Sequence, residues 1–209
     1  KIFHRILDLI LEDGKRVGPR IAGEFGVSRQ VANGYLQSML QDGLIRAEGS
    51  TRARVYTLKT LVEAERSFPR PGLDEHEVWR AIVAPELEGL PENVRDIWQY
   101  AATEMINNAI DHSGSSDVRV TTRRNALFTE LTVTDDGEGI FLKIQRALNL
   151  ADPHESILEL AKGKLTTAPE AHSGEGIFFT SRLMDAFDIQ SRRLRFRHDE
   201  QPLDVLAEH

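Results

Sequence analysis

Tyr100-Ala101-Ala102-Thr103-Glu104-Met105-Ile106-Asn107-Asn108-Ala109-Ile110-Asp111-His112-Ser113 is the stretch from which the rest of the chain can be read. Its periodicity predicts a helix with Ala101, Met105, Ala109 and Ile106, Ile110 on one apolar stripe. Glu104, Asn108 and Asp111 then stand at i, i+4 and i+7 on the neighbouring polar stripe. A solvated helix face usually carries Lys, Glu or Gln. This one carries a carboxylate, a carboxamide and a second carboxylate, short groups suited to holding a metal, a water or a ligand. Over this segment alone an acidic surface helix would look the same.

Two later segments bear on that choice. Leu131-Thr132-Val133-Thr134 alternates like a strand and runs into Asp135-Asp136-Gly137-Glu138-Gly139-Ile140; His172-Ser173-Gly174-Glu175-Gly176-Ile177 opens a further apolar helix. A helix with E-x-x-x-N-A, a strand ending in D-x-G-x-G and a G-x-G before a helix, in that order, resemble the N, G1 and G2 boxes of the GHKL (Bergerat) ATP-binding superfamily. That superfamily includes gyrase B subunits, sensor histidine kinases and anti-sigma-factor kinases. The resemblance covers residues 73–199.

The resemblance implies ATP and Mg²⁺ as ligands. Asn108 matches the asparagine that holds Mg²⁺, a hard cation suited to a carboxamide oxygen. Asp135 matches the aspartate that accepts a hydrogen bond from the adenine amino group, and Gly137 and Gly139 let backbone approach the base. Gly174, Gly176 and the amides before Ile177 would face the phosphates at a positive helix end. Asp111, His112 and Ile140 complete the expected contact set, with Thr166 and Thr167 on a lid over residues 162–172. Glu104 occupies the place of a general base for attacking water, but kinase members keep the same glutamate, so it does not separate hydrolase from kinase. The first glycine of the family's G-x-G-x-G is His172 here, which bears on lid flexibility and turnover rather than on nucleotide binding.

The 209 residues suffice for two small domains, and the 40% hydrophobic fraction supports ordinary cores. With no cysteine, disulfides and thiolate zinc sites are excluded. No apolar run approaches the roughly 18 residues of a membrane span, so neither a membrane nor an export signal is expected, and the simplest location is cytoplasmic. The chain opens on Lys1 rather than Met, which leads us to expect a longer natural protein. The net charge of −7 is uneven: residues 1–60 hold ten Lys+Arg and six Asp+Glu, and the remainder sixteen and twenty-seven. A basic head on an acidic body points to a polyanion meeting one end.

That head reads as helices over 2–11, 17–25 and 29–41, the last capped by Ser28, with Val31, Tyr35, Leu36, Met39 and Leu40 as its expected buried set. Short strands over 44–46 and 54–58 follow. The order resembles a winged helix-turn-helix domain. The resemblance implies duplex DNA as partner, with Ser28, Arg29, Gln30, Asn33 and Gln37 towards the major groove and Arg46, Arg52 and Arg54 at phosphates. The same fold also serves as a protein-docking or dimerisation module; the basic wing favours DNA. Gly34 within the third helix departs from a good helix former by about 1 kcal/mol.

The expected fold class is therefore α+β. A winged helix-turn-helix over 1–60 and a linker over 61–72 containing Pro69 and Pro71 precede an α/β-sandwich Bergerat domain over 73–199 and a tail over 200–209. Within the Bergerat domain the pattern predicts a helical segment over 74–90 broken at Pro85, and strands over 118–121 and 127–134 joined as a hairpin. Helices over 141–150, 155–160 and 178–187 follow, then a strand over 189–196. One more strand is expected of the family, and 199–209 is a poor fit for it, so the natural chain is expected to continue. Only 27 residues lie between His76 and Glu104, without the dimerisation hairpin of a sensor histidine kinase, and His76 reads as a surface residue. The function expected is an ATP-responsive DNA-binding transcriptional regulator. The competing readings are an anti-sigma-type serine/threonine kinase or slow ATPase acting on a partner protein or an unseen C-terminal domain, and a docking module in which both domains bind protein and the ATP site is vestigial; the protein partner expected is another protein or a second copy in a homodimer.

Overall fold

The computed structural model describes residues 1–50, 53–163 and 176–199, and the backbone of 205–208. The chain separates into two units, Lys1–Ala64 with Thr122–Leu131, and Glu65–Thr121 with Thr132–His209.

The first unit begins with three helices, α1 (Ile2–Glu12), α2 (Val17–Phe25) and α3 (Arg29–Gln41). Each forms because one stripe is apolar: Ile6, Leu7, Leu9 and Ile10 of α1, Val17 and Ile21 of α2, and Ala32, Leu36 and Met39 of α3 are all buried in one core. The Ser28 hydroxyl accepts the Val31 amide at 3.2 Å and starts α3. An antiparallel hairpin follows, β1 (Ile45–Glu48) and β2 (Val55–Leu58), with Ile45 opposite Leu58 and Glu48 opposite Val55. Its Ile45 and Tyr56 close the same core.

Two expectations for this unit are corrected. Val31 and Tyr35 are 47% and 38% exposed rather than buried, because the face of α3 that meets the core is centred on Ala32, Leu36 and Met39. The linker expected over 61–72 is instead strand β3 (Val62–Pro69), an edge strand of a sheet of order β3-β4-β5 in which β4 is Asp117–Arg124 and β5 is Thr129–Asp135. An edge strand tolerates proline at its end, which is where Pro69 sits. The turn between β4 and β5 belongs to the first unit: Asn125 Oδ1 accepts the amides of Leu127 and Phe128 at 2.8 and 2.9 Å, and Ala126 and Leu127 pack on the three-helix core.

In the second unit, α4 (Glu75–Val78) continues as a π-helical turn over Trp79–Val83 and a 3₁₀ turn over Ala84–Leu87. Pro85 sits in that last turn, where its missing amide costs no helical hydrogen bond. Helix α5 (Glu92–His112) runs 21 residues and buries Ala101, Ala102, Ile106 and Ala109. Met105 and Ile110, expected on that stripe, are half-buried. Beyond β5 come α6 (Ile140–Leu148), α7 (Pro153–Lys162) and α8 (Gly176–Leu183). Asp152 caps α7 by accepting the His154 amide at 2.8 Å, and that bond together with the His154 ring holds its carboxyl below the usual aspartate range.

A second antiparallel sheet has the order β6-β7-β8, with β6 Ala186–Ser191, β7 Leu194–Asp199 and β8 Val205–Glu208. Three further expectations change here. The helix expected to reach residue 187 stops at Leu183, and Phe179 and Leu183, expected to face the sheet, are 45% and 46% exposed. The single strand expected over 189–196 is a hairpin, turned at Arg192 with φ 56. The tail supplies the further strand: Val205 to Glu208 pair with Arg197 to Leu194. The mixture of helices with antiparallel sheets is the α+β class expected.

Candidate functional site

The site is organised by the carboxyl end of α5. Glu104, Asn108 and His112 are half-buried along it and Asp111 is exposed. The last carbonyls of a helix have no partner within it and carry its negative pole. Here two cations supply the missing donors. The Arg70 guanidinium donates to the Ile110 carbonyl at 3.3 Å and also to the Ser115 carbonyl, while the Lys143 ammonium donates to the His112 carbonyl at 3.1 Å. Lys143 Nζ also faces His112 Nδ1 at 3.2 Å. An ammonium only donates, so in that contact the ring nitrogen is the acceptor.

The turn after β5 is fastened to that same end. Asp135 is exposed, and its Oδ1 accepts the Gly137 amide at 2.9 Å, which fixes the carboxylate's orientation. The Asp136 amide donates to Ser115 Oγ at 3.3 Å and the Glu138 amide to the Ser113 carbonyl at 3.3 Å. A Cβ on Gly137 would stand 2.0 Å from the Ser113 carbonyl oxygen, so only glycine fits. Gly139 has φ +91 and its Cβ would stand 2.2 Å from Ser191 Oγ, while Arg192 Nε donates to the Glu138 carbonyl at 3.0 Å. The bareness of both glycines is thus used by this chain's own backbone and hydroxyls, which hold the turn between α5 and the β6–β7 hairpin.

Gly176 opens α8, and its absent side chain makes room for Glu104: a Cβ there would stand 2.0 Å from Glu104 Oε2. The sequence-predicted glutamate and glycine therefore meet in space. The Asn108 carboxamide, one turn along α5, makes no hydrogen bond to another described residue. Ile140 and Ile177 pack, half-buried, against a core of Phe141, Ile144, Ile157, Leu160 and Phe196. Thr166, Thr167 and Gly174, together with His172, lie outside the described residues, as does Arg52 of the first unit.

Sequence reasoning missed Arg70, Ser113, Ser115, Lys143 and Arg192, all of which brace the site. Arg70 stands between two prolines in what reads as a linker, and no local pattern assigns it a helix end forty residues on. In the first unit Ser28, Arg29, Gln30, Asn33, Arg46 and Arg54 are exposed, as a surface for a partner requires. The Asn33 carboxamide leans towards α2, with Oδ1 2.9 Å from where a Gly18 Cβ would be. Among the described residues one group of His and carboxylate is compact enough for an ion, the exposed Asp74 and His76 with the half-buried Glu75, and there Asp74 caps the Glu77 amide at the start of α4. No helix of the described residues is long and apolar enough to cross a membrane.

Residues 73–196 match the model of the histidine kinase-like ATPase domain, a span that includes every described residue of the site except Arg70. No curated protein and no solved structure matches the chain.

Proposed function

The chain belongs to the histidine kinase-like ATPase domain family, and from that premise we propose that it is a cytoplasmic, ATP-responsive DNA-binding regulator. Its second unit binds Mg·ATP, and its first, read as a winged helix, binds duplex DNA. The observation that carries the nucleotide half is the meeting of Glu104 with Gly176 at the start of α8, one helical turn from Asn108. A carboxylate, a carboxamide and the amino end of a helix are then together where a triphosphate needs hard oxygen ligands and N–H donors.

The residues fit Mg²⁺ and ATP. Asn108 would hold the metal through its carboxamide oxygen, and Mg²⁺, when bound, offsets triphosphate charge. Asp135 would accept the adenine amino group with the oxygen that the Gly137 amide leaves, its angle already set by that amide. The amides at Gly176 would take phosphate oxygens. We expect Asp135→Asn to weaken ATP and ADP alike by about 1–3 kcal/mol, since it places a donor beside the adenine amine. Asn108→Ala should weaken Mg·ATP far more than metal-free nucleotide. Calorimetric titration of the three proteins decides: equal affinity for Mg·ATP rejects this reading of the site.

For the first unit the support is an exposed α3 and hairpin carrying Arg29, Arg46 and Arg54 in a basic segment. Arg46→Ala and Arg54→Ala should weaken binding to all duplex sequences about equally, and each should flatten the salt dependence by about one unit for the phosphate it leaves without a cation. In the same titration a non-hydrolysable ATP analogue should shift DNA affinity relative to ADP by about 1–3 kcal/mol, and DNA should shift analogue affinity by the same factor. Identical curves in both nucleotide states would leave two independent binding units.

A further inference from the structure

Past residue 60 the chain is acidic, and its cations are unevenly spread. Residues 61–191 hold twelve Lys+Arg against twenty-three Asp+Glu, whereas Arg192, Arg193, Arg195 and Arg197 fall within six consecutive positions of the β6–β7 hairpin. The pleat sorts them. Phe187, Ile189 and Leu194 pack against the core that buries Phe196, so the alternate positions Asp188, Gln190, Arg195 and Arg197 make the opposite face of the sheet. Arg193 stands at the turn that leads into that face. Asp188, Gln190, Arg193 and Arg197 are exposed and Arg195 is half-buried.

The charge of this face is only partly answered within the chain. Arg195 donates to Asp188 at 2.6 Å and Arg197 to Asp199 at 3.1 Å, each through Nε, while Arg193 has no partner among the described residues. The Nη atoms of all three guanidiniums, the end-on fork that fits a carboxylate, are left open among the described residues. Like charges along one strand face repel, and solvation alone would be met by Thr or Gln. The turn of the same hairpin is also the piece braced against the candidate nucleotide site, where Arg192 Nε donates to the Glu138 carbonyl and Ser191 stands against Gly139.

We infer that the Arg193–Arg195–Arg197 face is a dock for an acidic segment of a partner protein, whose carboxylates meet the open forks. Alternate residues of an extended chain are about 7 Å apart, the same spacing as the arginines along β7. Charge selects this occupant over nucleic acid. The row is about 14 Å long, and a polyanion running past it would meet the acidic remainder of the unit and be repelled. A short acidic segment ends with the row. None of the three arginines belongs to the nucleotide or DNA contacts proposed, and a dock here requires neither.

The test uses the full chain and a labelled peptide of alternating glutamate and threonine at low salt, with oligo-dT as the competing polyanion. The peptide should bind, and rising salt should weaken it. Arg193→Glu breaks no contact among the described residues. It should weaken the peptide at least about tenfold, with thermal midpoint and Mg·ATP affinity unchanged. Arg54→Ala, on the basic first unit, should leave peptide binding as it is. A parent that ignores the peptide, or a peptide bound equally by parent and Arg193→Glu, would overturn the inference. So would oligo-dT bound more tightly than the peptide and released by Arg193→Glu, which would make the face a nucleic-acid surface. A parent dimer dissociated by the same change would make the occupant a second copy and overturn it too. Peptide held through Arg193 by a chain that takes up no Mg·ATP would leave the dock standing and reject the nucleotide reading alone.

Discussion

Glu104→Gln should abolish ATP turnover while nucleotide remains bound, with a fall of about 10²–10⁴-fold. Glutamine keeps the shape and the place against Gly176 but cannot take a proton from an attacking water or hydroxyl. The geometry adds a sign for binding. The Glu104 carboxylate lies at the amino end of α8, where phosphate would also be drawn. Removing its charge therefore leaves nucleotide affinity equal or tighter. Labelled γ-phosphate followed in parent and variant reads both the rate and the acceptor: label in solution denotes an ATPase, and label on protein a serine/threonine kinase acting on a partner. Turnover in the variant at the parent rate would reduce Glu104 to a structural residue.

Gly137→Ala should cost the second unit about 2–3 kcal/mol and remove nucleotide binding with it. The new methyl would meet the Ser113 carbonyl, a backbone atom with no rotamer to move, at 2.0 Å. Overpacking against a fixed neighbour is relieved only by shifting main chain. The shift would break the Glu138 amide to Ser113 carbonyl bond and turn Asp135, whose carboxylate is held by the Gly137 amide. Thermal unfolding and nucleotide calorimetry on one sample check both halves. An unchanged midpoint with parental affinity would mean that the turn is not pressed against α5.

How far the site was legible depended on the range of the interaction. The E-x-x-x-N spacing of Glu104 and Asn108 and the D-x-G-x-G of Asp135, Gly137 and Gly139 are local patterns, and they sufficed to name the family that residues 73–196 match. What those glycines touch was not legible, because Ser113 meets Gly137, Glu104 meets Gly176 and Ser191 meets Gly139 only after distant segments pack. Arg70 and Lys143 were invisible as helix caps for the same reason.

By itself the sequence determined the elements whose cause lies within a turn or two of chain: α1, α2 and α3 from apolar stripes, the start of α3 from Ser28, and α5 from its long amphipathic run. Only the tertiary structure decided which side of α3 faces inward, since Val31 and Tyr35 are as apolar as Ala32 and lose to it by where α2 and β1 stand. It also turned the expected linker into β3, whose polar residues gain a reason to extend only when β4 lies beside them: Thr121 Oγ1 donates to Glu65 at 3.2 Å and Arg123 Nε to Glu63 at 2.8 Å. And it made β8 from the tail by pairing it with β7. A helix satisfies its own backbone, so periodicity announces it; a strand's hydrogen bonds belong to another segment, and its existence is settled by that partner.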